Sequence, residues 1–316
     1  WIVQAWRGAT ARDRLLVQGN RVVMSGPYYL DLHFPVDVYY DFDPNAQQSD
    51  LIEREDALLE DPRLSHVAQG MRWTHQWRRN AVQISAHSAD GVLGAEACLW
   101  GELVNTEVLD QRLWSRLPAL AERFWSGPDV ADVGSLRRRL QAFQRSCLPG
   151  SGIDLEQTLN AQLTALGIVE PWQELARLLE PVKWYGRLLG EQALAARLAG
   201  EEMPQARPYG TDTPLDKLSD VLPPESQSWW AIEDLLSEAA AVQDVVQSWR
   251  QTLQLDCPVM ELLPFLASFA ALAELVEQRL AGRPAAQASI DAIGVPHGEL
   301  MLSLSPGLRA WLLEVS

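Results

Sequence analysis

The sequence predicts an α/β fold over residues 1–150, followed by a mainly helical, all-α domain over residues 151–316. In the first part, short apolar segments bounded by turn residues alternate with helical patterns, which is typical of βαβ units with parallel strands. In the second part, apolar residues recur at spacings of three and four, which is typical of packed helices. The turn-rich sequence LPGSG at 148–152 is the predicted boundary between them.

The composition is that of a folded, acidic protein. The chain has 316 residues, of which 47% are hydrophobic and 13 are Trp, so it can bury a sizeable core. Its formal charge of −16 argues against nucleic acid or an anionic membrane as a partner, because both require a basic surface. No apolar run reaches the roughly 18 to 20 residues that span a bilayer. Neutral or cationic ligands fit this charge better.

No motif for a metal or a cofactor is found, and we predict none. The odd number of Cys residues, three, gives neither a disulfide framework nor a metal-binding spacing. His33, His66, His75 and His87 show no HExxH or related ligand pattern. The sequence also lacks a Gly-rich phosphate loop and a nucleophile elbow.

Three strand patterns follow one another in the first part. The first, WIVQAW at 1–6, reads as a buried strand and precedes a short helix over 9–18. The second is RVVMS at 21–25, after a Gly-Asn turn. The third runs through small and apolar residues from 92 to 99 and leads into one helix with apolar residues at 109, 113, 117, 120 and 124. We interpret the polar and aromatic stretch at 33–80 as an extended loop with an acidic helix over 50–57.

Aromatic and acidic residues follow the strands. Trp6 ends the first strand, Tyr29 and Asp31 follow the second, and Trp100 and Glu102 follow the third. Members of each pair are two positions apart, so on a strand they would point to the same side. Aromatic walls with carboxylate acceptors suit a hydroxyl-rich sugar ring. Taken singly, the Trp residues fit a core role and Glu102 fits a helix cap.

The sequence resembles glycoside hydrolase family 20, the β-N-acetylhexosaminidases. The residues that carry the resemblance are AC-L-WGE and RLWSR-LPALAERFWS, between 97 and 126, together with the Tyr-x-Asp and the earlier Trp. Ser115 departs from the proline that is usual there. The resemblance implies that residues 1–150 are the C-terminal portion of a (β/α)8 TIM barrel, containing about its last three strands.

The resemblance also implies roles for five residues. Asp31 and Glu102 would bind the 4- and 6-hydroxyls of the terminal sugar, while Trp6 and Trp100 would enclose its N-acetyl group. Tyr29 would be catalytic, hydrogen-bonding the acetamido oxygen that attacks the anomeric carbon in a substrate-assisted, retaining reaction. The implied partners are glycans that end in N-acetylglucosamine or N-acetylgalactosamine, and the implied location is periplasmic or secreted.

One departure from the family concerns its general acid, a Glu that follows directly after an Asp. The dipeptide Asp-Glu is absent from the sequence, and the chain starts within an apolar strand pattern. We therefore expect an N-terminally truncated enzyme that is inactive alone. The alternative is a non-catalytic glycan-binding or helical interaction protein that retains a barrel remnant.

In the second part, helices are predicted over 155–166, 172–189, 229–252 and 262–280, with a Pro-rich break at 203–225. Four helices of similar length would suit a small bundle. The pieces EPVKWYGRL and TPLDKLSDVLPPES resemble helical C-terminal extensions of some bacterial family members, but this implies no chemistry.

Overall fold

The computed structural model describes residues 1–81, 90–187 and 213–314. The chain divides into two compact units. The first contains Trp1–Leu155 and Lys183–Thr213, of which 183–187 and Thr213 are described, and the second contains Glu156–Val182 and Pro214–Ser316. Every cavity residue discussed below belongs to the first unit.

A parallel three-stranded sheet organises the first unit. Its strands are β1 (Ile2–Ala5), β2 (Arg21–Met24) and β3 (Val92–Ala95), in the order β1-β2-β3. Helix α1 (Ala9–Val17) joins β1 to β2. The predicted βαβ arrangement is therefore confirmed within the described residues, and β-branched residues supply much of the central strand.

The outer strands are less buried than the sequence suggested. In the central strand Val22 and Met24 are buried, whereas Ile2 of β1 and Leu93 of β3 are exposed. The prediction of a buried first strand is therefore wrong. An apolar strand sequence shows that the side chains of the strand can be buried. It does not show that another element covers them.

The predicted extended loop at 33–80 is instead largely helical. It contains α2 (Val36–Tyr40), α3 (Gln48–Ala57) and α4 (Ala68–Ala81). Its aromatic residues Phe34, Tyr39 and Phe42 are buried in the core of this unit. Apolar burial rather than the polar composition decides the structure of this segment. The acidic helix over 50–57 is confirmed as part of α3.

A buried arginine fixes part of this segment. The Arg63 guanidinium donates to both carboxylate oxygens of Asp37, at 2.9 and 2.8 Å, and it also donates to Asp61. Bidentate pairing of this kind adds orientation as well as energy. It links α2 to the 3-10 turn Pro62–Val67 that precedes α4.

Two helices, not one, follow β3. They are α5 (Leu109–Trp114) and α6 (Leu117–Trp125), and α7 (Val133–Ser146) comes next. The break falls at Arg116, whose φ of −138° is outside the helical region. Pro118 is tolerated in the first turn of α6 but would remove an amide donor from the interior of a longer helix.

The second unit is mainly helical with one small sheet. Its helices are α8 (Leu155–Ala165), α9 (Trp172–Ala176), α10 (Leu218–Val221), α11 (Gln227–Leu235), α12 (Ala239–Thr252), α13 (Leu266–Leu280), α14 (Gln287–Ile293) and α15 (Pro306–Leu313). Strands β4 (Glu180–Pro181) and β5 (Leu300–Met301) pair antiparallel. No helix in the described ranges is long and apolar enough to cross a membrane.

Several helix predictions in this unit need correction. The helix predicted over 172–189 ends at Ala176, because the chain turns into β4; its last two positions lie outside the described residues. The pattern over 229–252 is two helices, separated at 236–238. Residues 203–212 of the predicted Pro-rich break lie outside the described residues, and α10 falls within the remainder. Over 229–252 the apolar spacing continues across the break because residues of both helices, such as Trp229 and Val246, face the same core.

Candidate active site

Residues that follow the three parallel strands line one cavity of about 280 Å³. Trp6 comes directly after β1, and all five residues singled out in the sequence lie in this lining: Trp6, Tyr29, Asp31, Trp100 and Glu102. The carboxyl ends of neighbouring parallel strands meet at the same edge of a sheet, which explains how residues far apart in sequence come together.

Backbone pairing continues beyond β2 and β3 and aligns their extensions. The Leu30 amide donates to the Cys98 carbonyl at 2.7 Å, and the Cys98 amide donates to the Tyr28 carbonyl at 2.9 Å. Tyr29 and Cys98 therefore pair as in a parallel sheet. Cys98 is held here as a partly buried residue of the strand extension.

The two residue pairs do not lie on regular strands as predicted, although they do line the same cavity. Asp31 lies in the 3-10 turn Leu30–Leu32, and Glu102 lies in the 3-10 turn Gly101–Leu103. Neither pair is on a regular strand. The residues reach the same cavity because each strand extension ends in a tight turn at the same edge.

The two tryptophans are cavity walls rather than core residues. Trp6 is 51% exposed and Trp100 is 58% exposed. The Arg7 guanidinium lies 4.4 Å from the centroid of the Trp6 ring, a cation–π distance. The Tyr29 hydroxyl donates to the Trp6 carbonyl at 3.0 Å. The backbone of Trp6 is thus tied to the following strand.

A glycine is required behind Trp6. A Cβ atom on the buried Gly26 would lie 2.8 Å from the Trp6 carbonyl oxygen and 2.9 Å from the Gly8 amide nitrogen. Both are backbone atoms, so neither can turn away as a side chain would. The absence of a side chain at Gly26 lets the end of β1 approach the turn after β2.

Asp31 and Tyr29 have perturbed acidities. Burial raises the pKa of the Asp31 carboxyl to about 6, with a smaller contribution from the nearby Glu102, while the Trp100 amide donates to Asp31 Oδ1 at 3.4 Å and opposes the shift. Burial also raises the pKa of the Tyr29 hydroxyl, so this group stays protonated and can donate a hydrogen bond at neutral pH. The Tyr39 hydroxyl donates to the Tyr29 carbonyl at 2.6 Å, which restrains the backbone of Tyr29.

Sequence reasoning missed a second wall of the cavity, which we call the helical wall. It consists of the lining residues of α3 and α4 and the residue after α3: Glu55, Leu58, Met71, Thr74, His75 and Arg78. The four from α4 recur at i, i+3, i+4 and i+7, the spacing of one helix face. That spacing was visible in the sequence, but the segment had been interpreted as a loop.

Burial shifts the pKa values of two residues in the helical wall, His75 and Glu55. Burial lowers the pKa of His75 to about 4, so its imidazole is neutral at physiological pH. Burial raises the pKa of Glu55, and the nearby Arg78 and Arg79 oppose that shift. Arg79 Nη2 donates to a Glu55 carboxylate oxygen at 3.5 Å.

Two further lining residues, Trp184 and Tyr185, come from the segment that returns to the first unit. The Trp184 amide donates to the Leu32 carbonyl at 2.7 Å, directly beside Asp31. The neighbouring Lys183 amide donates to His66 Nε2 at 3.1 Å. Burial lowers the pKa of His66 to about 3, which keeps the imidazole neutral and able to accept this bond. No local sequence signal links residue 184 to this cavity.

The cavity offers hydrogen-bond acceptors and aromatic surface rather than a metal site. Among the described residues, no three His, Cys, Asp or Glu side chains are grouped to hold a metal ion. The arrangement can enclose a neutral ring between indoles and accept hydrogen bonds from its hydroxyls.

Known proteins resemble this chain over part of its first unit. A profile for the glycosyl hydrolase family 20 catalytic domain matches residues 1–128. The pig β-hexosaminidase subunit beta is 53% identical over 144 residues, which cover 44% of this chain and 21% of that protein. The cat subunit beta is 28% identical over 144 residues, with the same coverage of 44% and 21%.

A solved structure extends the likeness in fold. The X-ray structure of a chitobiase from Flavobacterium johnsoniae matches with a TM-score of 0.66 and 20% identity, covering 98% of this chain and 45% of that one. This chain spans about a fifth of the length of the pig and cat subunits that it matches. Residues 1–128 of this chain are therefore similar to the catalytic domain of glycosyl hydrolase family 20.

Proposed function

We propose that this chain contributes to the hydrolysis of terminal, non-reducing N-acetylhexosamine residues from β-glycosides. The observation that carries the proposal is the single cavity formed by Trp6, Tyr29, Asp31, Trp100 and Glu102 after three parallel strands. The matched proteins are themselves named β-hexosaminidases and chitobiase, which supports the same class of reaction here.

Each residue has a role that suits its surroundings. The indoles of Trp6 and Trp100 would enclose the N-acetyl group against apolar surface. Asp31 and Glu102 would accept hydrogen bonds from the 4- and 6-hydroxyls of the sugar. Because its hydroxyl is protonated, Tyr29 would hydrogen-bond the acetamido oxygen and help to stabilise the charge that develops on the attacking group.

The proposed reaction is substrate-assisted and retains the anomeric configuration, an exception to the scheme with two enzyme carboxylates. The acetamido oxygen forms a bond to the anomeric carbon as the glycosidic C–O bond breaks, and an acid protonates the departing oxygen. Water then attacks the same carbon, the bond to the acetamido oxygen breaks, and a proton returns to the conjugate base. The tyrosine hydroxyl would act in both steps.

The general acid must come from outside the 316 residues in this scheme. The Asp-Glu pair that the resemblance implies is absent from the sequence. We therefore propose that residues 1–150 form the last three strands of a TIM barrel, whose earlier strands would carry the acid. The exposed Ile2 and Leu93 on the two outer strands are consistent with further strands on both sides.

The test is hydrolysis of a chromogenic aryl N-acetyl-β-glucosaminide. We would measure the 316-residue chain and a longer polypeptide that includes the residues encoded upstream in the same reading frame. Activity only in the longer polypeptide is the expected result. Activity of the short chain would show that the acid has been misassigned.

The absence of the acid pair also favours a second candidate, a non-catalytic glycan-binding protein. Calorimetric titration with N-acetylglucosamine separates the two. Binding without hydrolysis in either polypeptide would support the second candidate, while absence of both would contradict any sugar site here.

A further inference from the structure

We propose that Trp184 and Tyr185 determine specificity, restricting the corner of the cavity beside Asp31 and Glu102 to an unsubstituted hydroxyl group. This inference rests on the proposed function, because it concerns which sugars that site accepts. It adds residues to which neither the sequence motifs nor the matched profile over residues 1–128 assigns a role.

The first observation is a small recess that continues from the main cavity. Asp31, Glu102, Leu103, Trp184 and Tyr185 line it, and its volume is about 10 Å³. That volume is close to the minimum that one water molecule requires. A hydroxyl group fits such a space, whereas an ether, ester or second sugar at the same oxygen does not.

The second observation is that the aromatic side of this recess is fixed. Trp184 is only 7% exposed and packs in the hydrophobic core of the first unit. Its backbone has a φ of +52°, a left-handed conformation that is uncommon for a bulky residue. Such conformations persist where the surroundings over-determine them and are concentrated at functional sites.

Two contacts keep Trp184 in that conformation and place Tyr185 beside it. The Trp184 amide donates to the Leu32 carbonyl at 2.7 Å, one residue after Asp31. The centroids of the Trp184 and Tyr185 rings are 4.8 Å apart, with an interplanar angle of 56°. A tilted aromatic pair of this kind is stabilising. The Trp184 side of the recess is therefore held in place, and Tyr185 packs against it.

The charge of the recess gives a second level of selection. Two carboxyl groups face it, so a hydroxyl donor is favoured and an anionic substituent such as a sulfate ester is repelled. Size would exclude a neutral methyl ether, whereas charge would exclude a sulfate even from an enlarged recess. This difference allows the two contributions to be measured separately.

The experiment is calorimetric titration of the 316-residue chain with methyl N-acetyl-β-glucosaminide, its 4-O-methyl and 6-O-methyl ethers, and its 6-sulfate. Wild type should bind the parent sugar at least tenfold more tightly than one or both ethers. Tyr185→Ala should reduce that ratio to threefold or less, because the recess opens. The 6-sulfate should remain excluded from both proteins.

Tyr185→Phe and Trp125→Ala are matched controls. The first keeps the ring and should keep the discrimination, and the second removes an indole that is 94% exposed and lies outside the cavity lining. Thermal unfolding should show that the variants are folded. If Tyr185→Ala unfolds, Tyr185→Leu provides a smaller enlargement.

Each outcome has a distinct meaning. If the 316-residue chain fails to bind the parent sugar, the same titration is made on the longer polypeptide. Failure of both to bind overturns the proposed function, and this inference falls with it. If wild type binds the parent and both ethers equally well, the inference is overturned while the proposed function stands. Unchanged discrimination in folded Tyr185→Ala would likewise overturn the role of this wall.

Discussion

The two sides of the cavity differ in how the chain builds them. The strand-end wall, which consists of Trp6, Tyr29, Asp31, Trp100 and Glu102, comes from positions directly after three consecutive strands. The helical wall comes from α3 and α4, two helices inserted between β2 and β3. The strand-end wall presents indoles and carboxylates to the cavity. The helical wall presents a mixture of apolar, polar and ionisable side chains.

This difference indicates a division of roles. In the strand-end wall, Tyr29 is fixed by backbone pairing with Cys98, and Trp6 by the close backbone approach of Gly26. Groups held in this way can keep the geometry that a reacting sugar needs. The helical wall is held by packing between side chains, so it suits a boundary that limits the size of the ligand. The following predictions test that division.

The largest expected effect is on the chemistry at the strand-end wall. Glu102→Gln and Tyr29→Phe should each reduce kcat/KM for an aryl N-acetyl-β-glucosaminide by about tenfold to a thousandfold, the range for a lost hydrogen bond in a transition state. The measurement uses the longer polypeptide that carries the acid. Trp125→Ala should be indistinguishable from wild type, and wild-type rates in both Glu102→Gln and Tyr29→Phe would contradict the proposed roles.

A smaller effect is expected from disturbing the backbone behind this wall. Gly26→Ala would place a Cβ atom 2.8 Å from the Trp6 carbonyl oxygen, so the end of β1 must move. We expect a loss of about 1–3 kcal/mol in the free energy of unfolding, measured by urea denaturation, as for other overpacked sites. Sugar affinity should fall with it, because Trp6 is displaced.

Gly101→Ala is the matched control, because a Cβ atom there would meet no atom within 4 Å although the residue lies between Trp100 and Glu102. It should leave both stability and sugar affinity near those of wild type. Equal losses from the two alanines would show that the close approach at Gly26 is not the cause.

The raised pKa of Asp31 predicts a pH-dependent affinity. With a pKa of about 6, the carboxyl is mostly ionised at pH 7 and mostly protonated at pH 5. If the ionised form is the one that accepts from the sugar hydroxyl, affinity should fall by about tenfold over that interval. Calorimetric titration at the two pH values tests this. Asp31→Asn should bind more weakly at pH 7 and show a flatter pH profile.

The raised pKa of Asp31 also predicts how the free energy of unfolding depends on pH. The pKa is raised from 3.8 to about 6, so the folded protein binds more protons than the unfolded chain in this interval. The free energy of unfolding should therefore fall as pH rises from about 4 to 6. Asp31→Asn should remove this contribution and leave the variant more stable than wild type at pH 7. A pH-independent difference between them would contradict the assignment.

The sequence was sufficient to predict the strand-end wall for a physical reason. An apolar strand that stops at Trp100-Gly101-Glu102 places polar chemistry where a buried element ends, and three such sites in order indicated one edge of a parallel sheet. The local geometry could not be predicted in the same way. Asp31 and Glu102 lie in 3-10 turns, and only the backbone pairing of Tyr29 with Cys98 shows how the extensions align.

The helical wall and the aromatic pair were not predicted, because their positions depend on packing across long sequence separations. Between β2 and β3, charged residues masked the helical spacing of Met71, Thr74, His75 and Arg78. Trp184 follows Leu32 in space but is 152 positions away in sequence, and one hydrogen bond between their backbones makes the connection. Such contacts become visible only when the core that positions them is known.

The smallest expected effect comes from the helical wall and tests the comparison most directly. The Thr74 hydroxyl donates to the Gly70 carbonyl at 3.0 Å within its own helix, so it is already satisfied without a ligand. Thr74→Ala should change the affinity for N-acetylglucosamine by less than about twofold, and the better helix propensity of alanine should offset the lost bond. Calorimetric titration beside Glu102→Gln gives the contrast. If Thr74→Ala weakens binding as much as Glu102→Gln does, the sugar must lie against α4, and the helical wall would be a binding surface rather than a boundary.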